Sequence, residues 1–201
     1  MDLQHAELNN DGRSKIVCRT SCFFANFMRS FLLHSTPSIC IDDVRIEKNS
    51  STFKDEEIQL RMGLLPLNGL EKLSRVEVGT VICSGSIECK EGDVRMENAK
   101  FDNEYVSGSG LICKLRKDES VSITFKVKVG DGSMGAKFCP VVAPTSWPED
   151  ENEDDIEGLY SVSFETNGTD HEWIILSCLT KMEEKILQMK HSLSVSMTEQ
   201  K

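Results

Sequence analysis

Nothing in this 201-residue sequence is long and apolar enough to cross a bilayer. Its start, MDLQHAELNNDGRSK, has no apolar core of the kind a secretory leader needs. The chain is therefore expected to be intracellular, with no membrane partner. Positive charge is also short: 23 Lys and Arg face 33 Asp and Glu, a formal net charge of -10. That balance argues against a direct grip on a phosphate backbone, which Lys and Arg make. Histidine is limited to His5, His34, His171 and His191, scattered along the chain. No G-x-S-x-G elbow, Gly-rich phosphate loop or His-x-Glu metal motif occurs, so no catalytic residue is expected. The eight cysteines, at 18, 22, 40, 83, 89, 113, 139 and 178, are scattered. In a reducing compartment they read as small buried hydrophobes, and the sequons at Asn49 and Asn167 carry no meaning.

What the chain does contain is periodicity. Asp2–Leu8, the turn residues Asn9-Asn10-Asp11-Gly12 and Ser14–Thr20 read as a β-hairpin, since Asp-Gly accepts the φ angles of a tight turn. Between Phe23 and His34 apolar residues fall at Phe24, Phe27, Met28, Phe31 and Leu32, the spacing of a helix with one oily face. Thr20 or Ser21 is available to cap it, and Pro37 follows its end. Ile39–Lys48 favours a strand, and Asp55–Met62 a short helix, with Gly63 as a left-handed cap and Pro66 beyond. From Glu77 to Val129 the character is β. Val76–Ile82, Leu111–Leu115 and the alternating Val121–Val129 are strand candidates divided by glycines. Residues 148–157 hold an acidic run that reads as a solvated linker. Leu159–Glu165 is a further strand. Thr169 with Glu172 makes a capping box for a last helix, striped by Ile175, Cys178, Leu179, Met182, Ile186, Met189 and Leu193.

Particular residues go further than periodicity. Ala25–Leu33 (ANFMRSFLL) resembles the NALRRVLL helix of the alpha-like subunits of multisubunit DNA-directed RNA polymerases. STPSICIDDVRIEKNSS is similar to that family's EVPTIAIDxVxIxxNTS, and Asp55–Leu67 (DEEIQLRMGLLPL) to its DEFIAHRLGLIPL. The last match is of the type found in the third-largest subunit of nuclear polymerases and the archaeal D subunit, rather than in bacterial alpha. Leu111–Val141 resembles the family's IxIAKLRxGQEIxLxAxAxxGxGxxHAKWSPV, with Gly135, Phe138 and Cys139 standing for His, Trp and Ser. Ser30 and Leu60 replace an Arg and a His of the other motifs. Glu165–Thr169 (ETNGT) looks like the turn before the last helix of bacterial alpha. The resemblance covers nearly the whole chain and is weakest from Gly92 to Tyr105.

It implies an α+β fold: a discontinuous dimerisation domain, residues 1–37 and 158–201, made of a sheet and two amphipathic helices. Residues 38–157 would form an inserted β-rich domain that ends in the acidic linker. The implied function is a non-catalytic assembly platform of a DNA-directed RNA polymerase, with the catalytic magnesium held by the large subunits and no cofactor here. The partner interface is placed on Phe24, Phe27, Met28, Phe31, Leu32, Ile175, Leu179, Met182 and Ile186. A heterodimer with a smaller alpha-like subunit is preferred to a homodimer, although both satisfy the physics. Arg29 and Arg61, which can fork onto carboxylates or carbonyls, are assigned to a large-subunit contact, with the second-largest subunit, or else to solvent or the chain itself; the largest subunit is a further expected partner. Many relatives hold zinc or an iron–sulfur cluster on four cysteines. Only Cys83 and Cys89 fall in that region here, so no metal is expected. The setting would be the nucleus or, as drift and short length would also fit a viral polymerase, a viral factory or virion. The rival reading is a free-standing β-rich interaction module whose helices close its own core.

Overall fold

The computed structural model of the chain describes residues 2–8, 13–73, 77–149 and 158–199. In chain order the strands are β1 (Asp2–Leu8), β2 (Arg13–Thr20), β3 (Ser38–Asn49), β4 (Leu67–Asn68), β5 (Val81–Arg95), β6 (Lys100–Phe101), β7 (Ser107–Gly108), β8 (Leu111–Gly130), β9 (Val141–Pro148) and β10 (Gly158–Thr166). The helices are α1 (Cys22–His34), α2 (Asp55–Leu64) and α3 (His171–Glu199). They divide into two compact units: residues 1–36 with 141–201, and residues 37–140. The protein is thus α+β, with a sheet in each unit.

The first unit carries the antiparallel sheet β1-β2-β10-β9. Alternation along β2 and β10 points Ile16, Cys18, Val162 and Phe164 inward, with Ile16 opposite Val162 and Ser14 opposite Phe164. Helix α1 lies on β9 and β10, and α3 packs on α1. Ser21, one of the two candidate caps, closes the first turn of α1 by accepting the Phe24 N–H at 3.2 Å. The turn at 9–12 and the acidic residues 150–157 lie outside the described residues. Strand β9 corrects the expected boundary. Residues 141–148 belong not to the insert but to this sheet, paired with β10 from Val141↔Thr166 to Pro148↔Tyr160. Pro144 and Pro148 are residues that a central strand would not accept. An edge strand tolerates them, and a bulge with Ala143 at φ 46 absorbs the first.

The second unit is built on the sheet β3-β8-β5-β6. Its inner face buries Ile39, Ile41, Ile87, Ile123, Phe125 and Val127, and α2 adds Ile58 and Met62 from one side. Strand β5 runs through Gly85 and Gly92, which the sequence presents as breaks. At Gly85 a Cβ would stand 2.4 Å from the Phe125 ring, so glycine is what lets the ring lie across the strand. Val76 lies outside the described residues. Gly63 is not a left-handed cap: it is buried within α2, and the helix ends because Pro66 holds Leu65 extended (φ -74, ψ 137).

Candidate functional site

Each helix of the first unit carries two apolar lines rather than one. On α1 the line Ala25, Met28, Leu32 is buried against the unit's own sheet and α3. The rings of Phe23, Phe27 and Phe31 form a second line at i, i+4, i+8 spacing. Phe23 and Phe27 stack at 6.2 Å, and Phe27 and Phe31 tilt together at 4.6 Å. Phe23 is 78% exposed, while Phe24, Phe27 and Phe31 are half-buried. The interface expected on α1 is therefore corrected in two places. Met28 and Leu32 are core residues whose surface this chain already covers, and Phe23 belongs to the outer line. Its i, i+4 spacing to Phe27 was the signal in the sequence.

Helix α3 divides along its length. Ile174, Cys178 and Met182 are buried, Ile175 and Leu179 half-buried, and every described side chain from Glu183 to Ser194 exposed. The cause is a mismatch of lengths. At 1.5 Å per residue the 13 residues of α1 span about 20 Å, and the 29 residues of α3 about 43 Å. Cover ends roughly where α1 does, so Met182, expected at an interface, is 3% exposed while Ile186, one turn on, is 49% exposed. Ile186, Met189 and Leu193, with Lys190 and Ser194, line a shallow apolar groove. Burial pushes the Cys178 thiol up to about 12, so it is a neutral apolar filler in the α1–α3 contact.

The start of α3 is tied to the sheet by polar contacts that spacing did not reveal. Asp170 is the cap, its Oδ2 accepting the Trp173 N–H at 2.8 Å. Thr169, the expected cap, is turned back onto the Asn167 side chain at 2.8 Å. His171 contacts the Ser14 hydroxyl through Nδ1 and stacks on Phe164. Beside it Arg13 donates to Glu165 at 2.8 Å. Lys15 pairs with Glu149 at 2.7 Å, which holds that carboxyl below its usual range.

The two arginines expected to reach large partners fare differently. Arg29 is half-buried on α1. Arg61 is engaged within the chain: it donates to the Ile112 carbonyl at 3.0 Å and its guanidinium lies 4.8 Å from the Phe53 ring centroid. The exposed large apolar side chains on that helix are Leu60 and Leu64, at i and i+4, and Arg61 remains exposed beside them. Of the cysteines on β5, burial, then Asp102, pushes the Cys83 thiol up to about 11. Among the described residues no group of three or more His, Cys, Asp or Glu side chains is arranged to hold a metal ion. No described helix is long and apolar enough to cross a membrane.

No protein-family model matches the chain. Curated proteins do. The DNA-directed RNA polymerase subunit Rpo3 of Methanocaldococcus jannaschii is 30% identical over 118 residues, 58% of this chain and 60% of that protein. The DNA-directed RNA polymerase II subunit rpb3 of Dictyostelium discoideum is 28% identical over 170 residues, covering 72% and 56%. Subunit 3 of the Arabidopsis thaliana DNA-directed RNA polymerases II, IV and V is 34% identical over 190 residues, covering 76% and 59%. The match thus spans rather more than half the length of each relative.

Proposed function

The chain belongs to the alpha-like family of DNA-directed RNA polymerase subunits, that of archaeal Rpo3 and eukaryotic RPB3, and from that premise we propose that it is a non-catalytic assembly subunit of such an enzyme. Its chemistry is association. The outer phenylalanine line of α1 and the far half of α3 pack against a second alpha-like subunit, a smaller one in a heterodimer. The pair then presents a platform to the two large subunits, and the catalytic magnesium is theirs. Leu60 and Leu64 carry a contact of the residue 37–140 unit with the large subunits, since Arg61 is bonded within that unit, and Arg29 carries a separate contact of the first unit. A nuclear setting is supported by the relatives that are subunits of RNA polymerase II. Nothing in the molecule favours a viral setting or the free-standing module.

The observation that carries this reading is the exposed apolar surface of the first unit. Burying an Ile, Leu, Met or Phe contributes roughly 1.5–3 kcal/mol, and a monomer that leaves such a line wet is costly and sticky. Tagged full chain carrying Phe27→Asp and Phe31→Asp, expressed in its native host, is the test. Loss of the smaller alpha-like subunit and the large subunits from the purified material is the expected result. Recovery of the full set in wild-type proportions overturns the interface.

A further inference from the structure

The sheet β3-β8-β5-β6 has a second face, opposite its buried one, and a single row of side chains crosses all four of its strands. Arg45 on β3 stands opposite Thr124 on β8. Thr124 stands opposite Ser86 on β5, and Ser86 opposite Lys100 on β6. The two cations are exposed at the ends of the row, with the two hydroxyls half-buried between them. All four line an open groove of about 630 Å³. Each is a hydrogen-bond donor, and among the described residues none of these four side chains has a hydrogen-bond or ion-pair partner. The neighbouring rows differ. Lys126 is held by Asp43 at 2.9 Å, and Asp102 accepts the Ser84 N–H at 2.8 Å. On the other side the next outward residue of β5 is Glu88, opposite Ser122. The row therefore reads cation, hydroxyl, hydroxyl, cation, with carboxylates to either side.

Strands lie about 4.8 Å apart, so the two cations start about 14 Å from each other with the hydroxyls beneath the midpoint. Both are long side chains, and one compact dianion above Thr124 and Ser86 would meet both charges and both hydroxyls. A phosphate monoester has that chemistry. It carries nearly two negative charges and three strong acceptor oxygens, and a guanidinium forks onto it. A carboxylate brings one charge and leaves a cation unmatched. A nucleic-acid strand would run its further phosphates into Asp43, Asp102 or Glu88, on a chain of net charge -10. A small phosphorylated metabolite would stay largely wet in so open a groove, whereas such ligands bury most of their surface in their sites. An extended peptide needs no such enclosure. We propose that this face of the sheet binds a phosphoserine or phosphothreonine carried on an extended segment of a partner protein. The site lies in the other unit from the phenylalanine line, and it stands or falls independently of the assembly function.

Fluorescence anisotropy with the full-length chain at low salt tests this, with circular dichroism to check that each variant folds. The probe is a dye-labelled alanine-rich peptide with one central phosphoserine. The same peptide with plain serine, inorganic phosphate and a single-stranded oligonucleotide serve as competitors. Saturable binding of the phosphopeptide is expected, with the serine peptide weaker by roughly tenfold or more. Arg45→Glu and Lys100→Glu should each weaken binding by roughly tenfold or more, and Thr124→Val by a few-fold. Lys185→Glu, an equal change of charge on α3 in the other unit, should leave it unchanged. Absence of saturable binding, equal affinity for the serine peptide, reversals at Arg45 and Lys100 without effect, or an equal loss in Lys185→Glu overturns the proposal. Inorganic phosphate that competes as tightly as the phosphopeptide removes the protein segment as occupant. An oligonucleotide that binds more tightly through Arg45 and Lys100 replaces it with nucleic acid.

Discussion

The two units of this protein solve the same problem to different extents. In the residue 37–140 unit the helix α2 turns Ile58 and Met62 onto a sheet wide enough to seal them and leaves the pair Leu60 and Leu64 outside. In the other unit α1 seals Ala25, Met28 and Leu32 but leaves a phenylalanine line outside, and α3 leaves every described side chain from Glu183 to Ser194 exposed. The difference teaches that amphipathicity alone does not say whether a helix is finished. What decides is whether the neighbouring element is long and wide enough to cover every apolar line, since the contribution of each residue follows the area removed from water.

The comparison is broken most directly on α1. Leu32→Ala is expected to destabilise the first unit by about 2–5 kcal/mol in urea unfolding, the cost of a core cavity. Phe23→Ala, at the second position of the same helix but on the outer line, should change it by less than about 0.5 kcal/mol. Equal effects would mean that the inward and outward lines have been confused. In the second unit Arg61→Ala should cost about 1.5 kcal/mol through loss of the Ile112 bond and the Phe53 contact. A variant of unchanged stability that fails only in assembly would return Arg61 to the partner surface.

Smaller effects sharpen the picture at the helix ends and the surface. Asp170→Ala should lower stability by about 1 kcal/mol, with Thr169→Ala near zero, as only the former caps α3. The reverse order would restore Thr169 as the cap. The smallest change concerns Asp42, which accepts from Lys137 at 2.6 Å and pairs with Lys128 at 3.4 Å. The Lys137 hydrogen bond holds its carboxyl below the ordinary 3.8. A depressed folded value means that the contribution is present above 3.8 and lost as pH falls through the folded value. The stability difference between wild type and Asp42→Asn should therefore be measurable near neutrality and vanish in acid below that range. A difference that persists there would show that the interaction is not ionic.

Much of this was legible before any coordinates. The hairpin strands, α1, β3 and β10 appear within a residue or two of the limits that periodicity and capping residues suggest, because those signals are local. What was misread was not local. Gly63 and Pro66 both mark a helix end, and only the backbone shows that proline acts. Prolines in Val141–Pro148 argue against a strand until the segment is found on a sheet edge. The stripes of α1 and α3 were visible as apolar surface, but Met28, Leu32 and Met182 could not be told from Phe27 and Ile186. All five are apolar residues at helical spacing, and nothing in the spacing says which line a neighbour covers.

The order of residues by itself determined that two amphipathic helices flank a β-rich middle, and it supplied the motifs shared with the alpha-like polymerase subunits. Tertiary structure alone decided which apolar line of each helix is core and which is surface. The physical reason is that side-chain periodicity is a property of one helix. Cover is a property of two elements and their relative lengths, here about 20 Å of α1 against about 43 Å of α3.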